Sequence, residues 1–386
     1  MKILVTAGAV HSYLDAVKII TNDFKGGRIA QLAQTLLQNN KDMEIIYLCK
    51  KGLCIPLLSS EYPSWDTAQK AKIIYHDGLE DYMNKVCKIA PEVDAVVCGA
   101  AVANIIPKNP WKGKFPSHNY KAGDVIPIDF VIAPRVIDEI KKVAPKTHVF
   151  GFKLLSGANH EELIRAAYEV LLGSKATTVF ANDKNDLDTI YAVTKDRSVH
   201  PMDRSLIADW IVDCIKDEYY RTEIIDEIGP WHCSLDDMRQ SVFLLNEWEK
   251  FFTECPEGFV FGSIAFRCKH GGFYTTERGK KFFVRDGKKT IGGVVWVKKV
   301  NHAKKVVYSN MYKSSLNAPL FAHIFRTNLN IKAIVHLHEK RQDLSTQAYA
   351  LPGTVRDSQR ENCSSSFNIE GHGCIILFDK DGKEIL

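Results

Sequence analysis

No run of about 18 apolar residues occurs anywhere in the 386 residues, so the sequence offers no candidate for a membrane-spanning helix. The opening stretch from Met1 to Thr6 is too short an apolar run for a signal peptide, and a cytoplasmic chain without a membrane partner is expected. There is no CxxC pair among the ten cysteines. Scattered as they are, they read as reduced, mostly buried thiols and exclude both a disulfide framework and a cysteine-rich zinc site. A long block of one charge is missing too. The net charge of +5 is spread along the chain, which leaves no footprint for nucleic acid and suits small anionic substrates better. Sequence repeats with periods of about 20 to 50 residues are also absent, which removes solenoids and arrays.

What is present is ordinary for a folded soluble protein: 45% apolar and 25% charged residues, in a length that favours two or three domains. From residue 1 to about 216, short β-branched runs alternate with helical stretches. Ile3-Leu4-Val5 precedes a helix over 29–38, and 44–48 follows as a second strand, a βαβ unit. Further strands are expected at 95–98, 148–152, 178–181 and 190–193, with helices at 135–143, 161–172 and 205–216. Such alternation implies a mostly parallel sheet with helices on both faces, whose ligands bind at the carboxyl ends of the strands. The pattern lapses between 217 and 234, where Gly229-Pro230 punctuates a charged stretch, so the domains are drawn as 1–220 and 236–386. The second opens with an amphipathic helix over 235–252, continues through Gly-rich hairpins over 259–307, and carries a helix over 318–327 before a strand over 333–337, an α+β pattern.

The first strand ends in Thr6-Ala7-Gly8-Ala9, where small residues let backbone amides approach a ligand. Asp15-Ala16-Val17-Lys18-Ile19-Ile20-Thr21-Asn22, Gly26-Gly27-Arg28, Ala100-Ala101-Val102-Ala103, Pro116-Ser117-His118, Ala133-Pro134-Arg135-Val136, Val149 to Leu154 and Val179 to Asp183 follow in order. This ordered set resembles phosphopantothenoylcysteine synthetase, the ligase that joins cysteine to 4′-phosphopantothenate, and implies its Rossmann-like fold. The resemblance implies activation of a phosphorylated carboxylic acid as an acyl-nucleotide by ATP or CTP with Mg2+. It puts Asn22 on that intermediate, Lys18 and Lys121 among the catalytic groups, and Gly8, Ala9, Ala101, Asn104, Pro134, Arg135, Val136, Phe152, Lys175 and Asn182 around the nucleotide. Lys18 stands where the family has arginine, Asn104 where it has aspartate, and Asn119 where it has lysine, with Lys114 and Lys121 nearby.

Ile334-Val335-His336-Leu337-His338 sets two histidines at i and i+2 on a strand, hence on one face, and a third lies in Gly371-His372-Gly373. Three imidazoles with an open fourth position are what a Lewis-acid zinc requires. With Ser314-Ser315 and the 318–327 helix ahead of them, these segments resemble the class II aldolase/adducin family, which implies Zn2+ on His336, His338 and His372 and substrate phosphate on Ser314 and Ser315. Leu316 replaces the glutamate that follows the serine pair, so little aldol cleavage is expected; Glu339 and Glu370 are candidate substitutes or outer partners of the ion. Both resemblances imply a homo-oligomer. Three readings therefore stand side by side: a ligase fused to a zinc module, a zinc lyase or epimerase of a phosphorylated small molecule, and a binding protein that has lost its catalysis.

Overall fold

The computed structural model describes residues 1–61, 70–226, 235–255, 258–285 and 287–386. Its contacts divide into two units, Met1–Ile215 and Lys216–Leu386, each built on its own sheet. The second unit takes in residues ahead of 236, because the segment after 216 pairs into the second sheet; the Gly229-Pro230 mark itself lies outside the described residues.

The first sheet holds β1 (Lys2–Val10), β2 (Glu44–Cys49), β3 (Lys72–Tyr75), β4 (Ala95–Val102), β5 (His148–Leu155), β6 (Thr178–Asp183), β7 (Asp186–Thr194) and β8 (Val199–Met202). Their order is β8-β7-β6-β5-β4-β1-β2-β3, with β1 to β6 mutually parallel and β7 antiparallel to both of its neighbours, β6 and β8. Every residue of β1 after Lys2 is buried, as the continuous apolar run of a doubly covered strand requires. The helices are α1 (Gly27–Asn39), α2 (Gly78–Ile89), α3 (Val136–Val143), α4 (His160–Ser174) and α5 (Ile207–Lys216). On one face Leu4, Val96, Val149 and Val179 meet Tyr82, Ile140 and Leu171 of α2, α3 and α4. On the other, α1 comes so close that a Cβ on Gly99 would lie 2.6 Å from Ile29 Cδ1, and Trp210 of α5 donates to Thr178 Oγ1 at 3.1 Å. The order runs outward from β1 in both directions, the Rossmann-like arrangement, and places a topological switch point between β1 and β4.

The second sheet has ten strands: β9 (Arg221–Ile225), β10 (Ser263–Arg267), β11 (Phe273–Thr276), β12 (Val294–Asn301), β13 (Val306–Asn310), β14 (Ile331–Leu337), β15 (Thr346–Gln347), β16 (Phe367–Ile369), β17 (Gly373–Asp379) and β18 (Glu384–Ile385). Their order is β9-β13-β12-β11-β10-β14-β17-β16-β15, with β18 also on β17, and the pairs β10 to β13 form an antiparallel meander. Alternation along β14 sends Ile334 to a core with Phe321 and Ile324 of α7 (Ala318–Thr327), and Val335 and Leu337 to a core with Leu245 of α6 (Leu235–Trp248). His336 therefore faces the α7 side. β17 begins at the close of β14, where Gly373 takes φ 147° and a Cβ would lie 2.0 Å from Leu337 O.

Gly373→Ala is expected to cost about 2 kcal/mol or more, since the obstructing atom is backbone. Gly382→Ala, at φ 77° with open space around it, should cost only about 1 kcal/mol. Denaturant unfolding of the two variants checks this, and equal costs would remove the crowding argument.

A second expectation concerns acid. His11 and His76, 1% and 4% exposed, lie just past β1 and β3, with Tyr13 edge-on to His11 and Tyr82 edge-on to His76. Burial pushes both imidazoles down, His76 to about 4. The unfolded chain takes up that proton near pH 6.5 and the folded chain only near 4, so stability is full above about 6.5 and falls by about 3 kcal/mol between the two. In His76→Leu that stretch of the pH–stability curve should flatten; a curve parallel to the wild type would acquit the imidazole.

Candidate functional site

At the switch point Gly8 pairs with Ala100 and Ala9 with Ala101. Gly8 (φ 74°) and Gly26 (φ 83°) are both left-handed, and a Cβ on Gly26 would lie 2.8 Å from Gly8 N, so the chain folds back onto the end of β1 before entering α1. No side chain caps α1, which leaves its first amides open to an anion. Asn22 arrives at the same place, its Nδ2 donating to Ala101 O at 3.1 Å.

Asp15, 1% exposed, holds the turn before Asn22. Its carboxylate accepts from Lys18 Nζ (2.8 Å) and from the N–H groups of Lys18 (2.5 Å), Phe115 (3.0 Å) and Val17 (2.7 Å). The Lys18 ammonium and those amides hold the carboxyl well below the usual carboxylate range. Lys18 is thus tied to Asp15 and lies 5.7 Å from the Phe115 ring centroid. Asp15 was visible in the motif, but nothing in the sequence said that it reaches Phe115.

The other residues expected at this site divide. Asn104 O accepts from Ala133 N at 2.9 Å, which brings Asn104 beside Pro134 and the start of α3 at Val136, while Phe152 packs on Phe180 at 5.3 Å and Asn182 pairs in register with Leu154 at the carboxyl ends of β5 and β6. Arg135 is turned along α3, 3.5 Å from Asp138 and 3.6 Å from the Cβ position of Gly173 in the last turn of α4. Lys121 lies in an exposed turn where its N–H bonds Asp124, with no bond to Asn22 or Gly8 among the described residues. Lys175 lies apart from these residues. It caps the end of α4 just ahead of β6, and since α4 runs back down the sheet, that is the amino end, opposite Gly8 and Ala101.

In the second unit β14 presents His336 and releases His338 at its end, and the tight Gly373 crossing delivers His372 beside them. One ring nitrogen from each lies within 4.8 Å of the others, with ring centroids 4.6 to 4.9 Å apart. Among the described residues this group is three imidazoles with no carboxylate. A tetrahedral ion holds its nitrogens roughly 3.3 Å apart, within reach of small ring tilts, and neutral nitrogen donors suit zinc. Ser314 is fully buried beside Thr276, whose carbonyl accepts from Ser315 N at 2.9 Å; Arg278 Nε donates to Ser314 O at 3.2 Å. Leu316 is 39% exposed and packs against Gly353, and Glu339 and Glu370 are exposed without a bond to the histidines. Sequence reasoning missed Asn317, 7% exposed, whose amide nitrogen lies 2.9 Å from His336 Nδ1 and 3.2 Å from Ser263 Oγ. A helix-start asparagine carries no local signal of this.

Comparison with known proteins covers the first unit best. Residues 1–219 match the model of the DNA/pantothenate metabolism flavoprotein C-terminal domain. The coenzyme A biosynthesis bifunctional protein CoaBC of Thermococcus kodakarensis is 27% identical over 181 residues, 47% of this chain and 41% of that protein, so the chain spans less than half of that relative's length. The solved DNA/pantothenate metabolism flavoprotein of Streptococcus pneumoniae aligns over 56% of this chain and 98% of its own at 20% identity and a TM-score of 0.46. An L-fuculose 1-phosphate aldolase aligns over 37% of this chain and 76% of its own, at 15% identity and a TM-score of 0.28. At such scores the architecture stands on its own strand order. The family match, by contrast, takes in every strand and helix of the first sheet, and on that ground the chain belongs to the DNA/pantothenate metabolism flavoprotein C-terminal domain family.

Proposed function

We propose that the first unit is a carboxylate–amine ligase of the phosphopantothenate–cysteine type. The carboxylate of a phosphorylated acid attacks the α-phosphorus of ATP or CTP, held with Mg2+, and pyrophosphate leaves; an amine such as cysteine then attacks the acyl carbon of the acyl-nucleotide, and nucleoside monophosphate leaves as the amide forms. The observation that carries this is the turn at Gly8 and Gly26, which sets the open amides of α1 beside Asn22 and Ala101 at the switch point of a sheet belonging to this family. Amides and a carboxamide there suit the phosphates and the acyl-nucleotide oxygens. Lys18, neutralised by Asp15, orders the turn that carries Asn22. The Thermococcus relative, named as a coenzyme A biosynthesis protein, favours the same acid. A homo-oligomer belongs to the same proposal.

For the second unit we propose a zinc-binding module of class II aldolase type, acting on a phosphorylated small molecule as a lyase or epimerase. His336, His338 and His372 would hold the ion, which when bound supplies Lewis-acid polarisation of a carbonyl, and buried Ser314 and Ser315 would take the phosphate. Leu316 offers no acid or base at the position after the serines, so retro-aldol cleavage of simple sugar phosphates should be slight.

CTP or ATP with Mg2+ at millimolar concentration should raise the thermal midpoint, since a ligand at about 100 times its Kd adds about 2.7 kcal/mol. Asn22→Ala should cut acid-dependent pyrophosphate release by about 100-fold at an unchanged midpoint without ligand. Absence of any nucleotide shift would end the ligase reading.

Elemental analysis should find zinc in the wild type and lose it in His336→Ala and His338→Ala, a greater loss than the about 10–100-fold that an outer partner contributes. His302→Ala and His323→Ala, outside the cluster, should keep it. The same metal content in all five proteins would make the histidines structural.

A further inference from the structure

We infer that Asn317, backed by Ser263, is the positioning residue that decides which nitrogen of His336 can hold a metal; the inference rests on the zinc reading of the histidine cluster. A neutral imidazole carries one N–H and one lone pair. Asn317 faces His336 Nδ1 at 2.9 Å, so Nε2 is the atom left to join His338 and His372. Nε2 offers its lone pair only if Nδ1 keeps the hydrogen, and Nδ1–H must then be met by an acceptor. The carboxamide supplies one by a half turn, which exchanges its oxygen for its nitrogen in the same space. With the nitrogen toward the ring, Nδ1 accepts, the hydrogen sits on Nε2, and the ring cannot ligate. With the oxygen toward the ring, Nδ1–H donates to Oδ1 and Nε2 is a ligand.

Ser263 makes the second orientation self-consistent. It is the cross-strand partner of His336, 1% exposed, and its Oγ lies 3.2 Å from the same carboxamide atom. A hydroxyl can donate as readily as accept, so one oxygen of Asn317 can receive both Nδ1–H and the Ser263 hydroxyl. All three side chains are at least nine-tenths buried, and no bulk water competes for these bonds. Asn317 is itself anchored, its backbone N–H donating to Ser315 Oγ at 3.2 Å at the entry to α7. A hydrogen-bonded outer partner of this kind raises ligand basicity and fixes the ring, and a neutral one leaves the ion its full charge for an anionic substrate.

The test is zinc affinity by competition with a chelating dye for the wild type, Asn317→Leu and Asn317→Asp, with long-range 1H–15N spectra of the imidazoles in the zinc-loaded wild type. Asn317→Leu, similar in size and unable to accept, should lose about 10–100-fold in affinity, and Asn317→Asp, an acceptor only, should bind at least as tightly as the wild type. The loaded wild type should show His336 with its hydrogen on Nδ1. Zinc bound equally by the wild type and Asn317→Leu, or a His336 without hydrogen on Nδ1, overturns the inference and leaves the metal site standing. A wild type that takes no zinc overturns the site and the inference together. Should Asn317→Leu fail to fold, a loss of affinity in Asn317→Asp would overturn the inference equally well.

Discussion

Helices on both faces of each sheet close those faces to a ligand, and the chemistry is confined to the places where strands end. In the first unit Leu4, Val96 and Val149 are sealed under α2 to α4 while Gly99 is sealed under Ile29 of α1. At the fork between the ends of β1 and β4 the buried Gly8 meets the half-buried Asn22 and Ala101. In the second unit α7 and α6 take the two faces of β14, and the histidines gather where that strand runs out. Burial of apolar surface, the main driving force for folding, thereby also determines where a polar site can exist.

The two sites are built differently on that common ground. At the first the framework is backbone, because left-handed glycines at 8 and 26 let two chain segments come within contact at the uncapped start of α1. One carboxylate, Asp15, supports it by gathering three amides and an ammonium, which binds the turn before Asn22 to the segment at Phe115. At the second, side chains do the binding, and backbone crowding at Gly373 brings His372 to its partners. A glycine that lowers the cost of a left-handed turn and one that permits a 2.0 Å approach to where a Cβ would stand are doing different jobs, although both read in sequence as an isolated Gly.

Residues whose placement follows from local periodicity were legible. The apolar run of β1, the helix over 318–327 and the i, i+2 histidines of β14 each carry their own pattern, and the ordered motifs of roughly residues 1–216 resembled the family whose model matches 1–219. Short or edge elements were not: β3 is four residues of Lys-Ile-Ile-Tyr, and α2 starts from a left-handed Gly78 with no capping side chain. Nor was anything that depends on register between distant strands. The place of Lys175, at the amino end of the sheet, follows from the direction of α4. Asn317 met His336 only because Ser263 and His336 are cross-strand partners and α7 begins above them.

The central claim is that the first unit passes its acid through an acyl-nucleotide, and oxygen labelling tests it most directly. With 18O in both carboxylate oxygens of 4′-phosphopantothenate, the account predicts one labelled oxygen in the phosphate of the released nucleoside monophosphate, because the carboxylate oxygen that attacks the α-phosphorus stays on phosphorus when the amine displaces it. Nucleoside monophosphate or diphosphate released without label, in a reaction that does form the amide, would contradict the account.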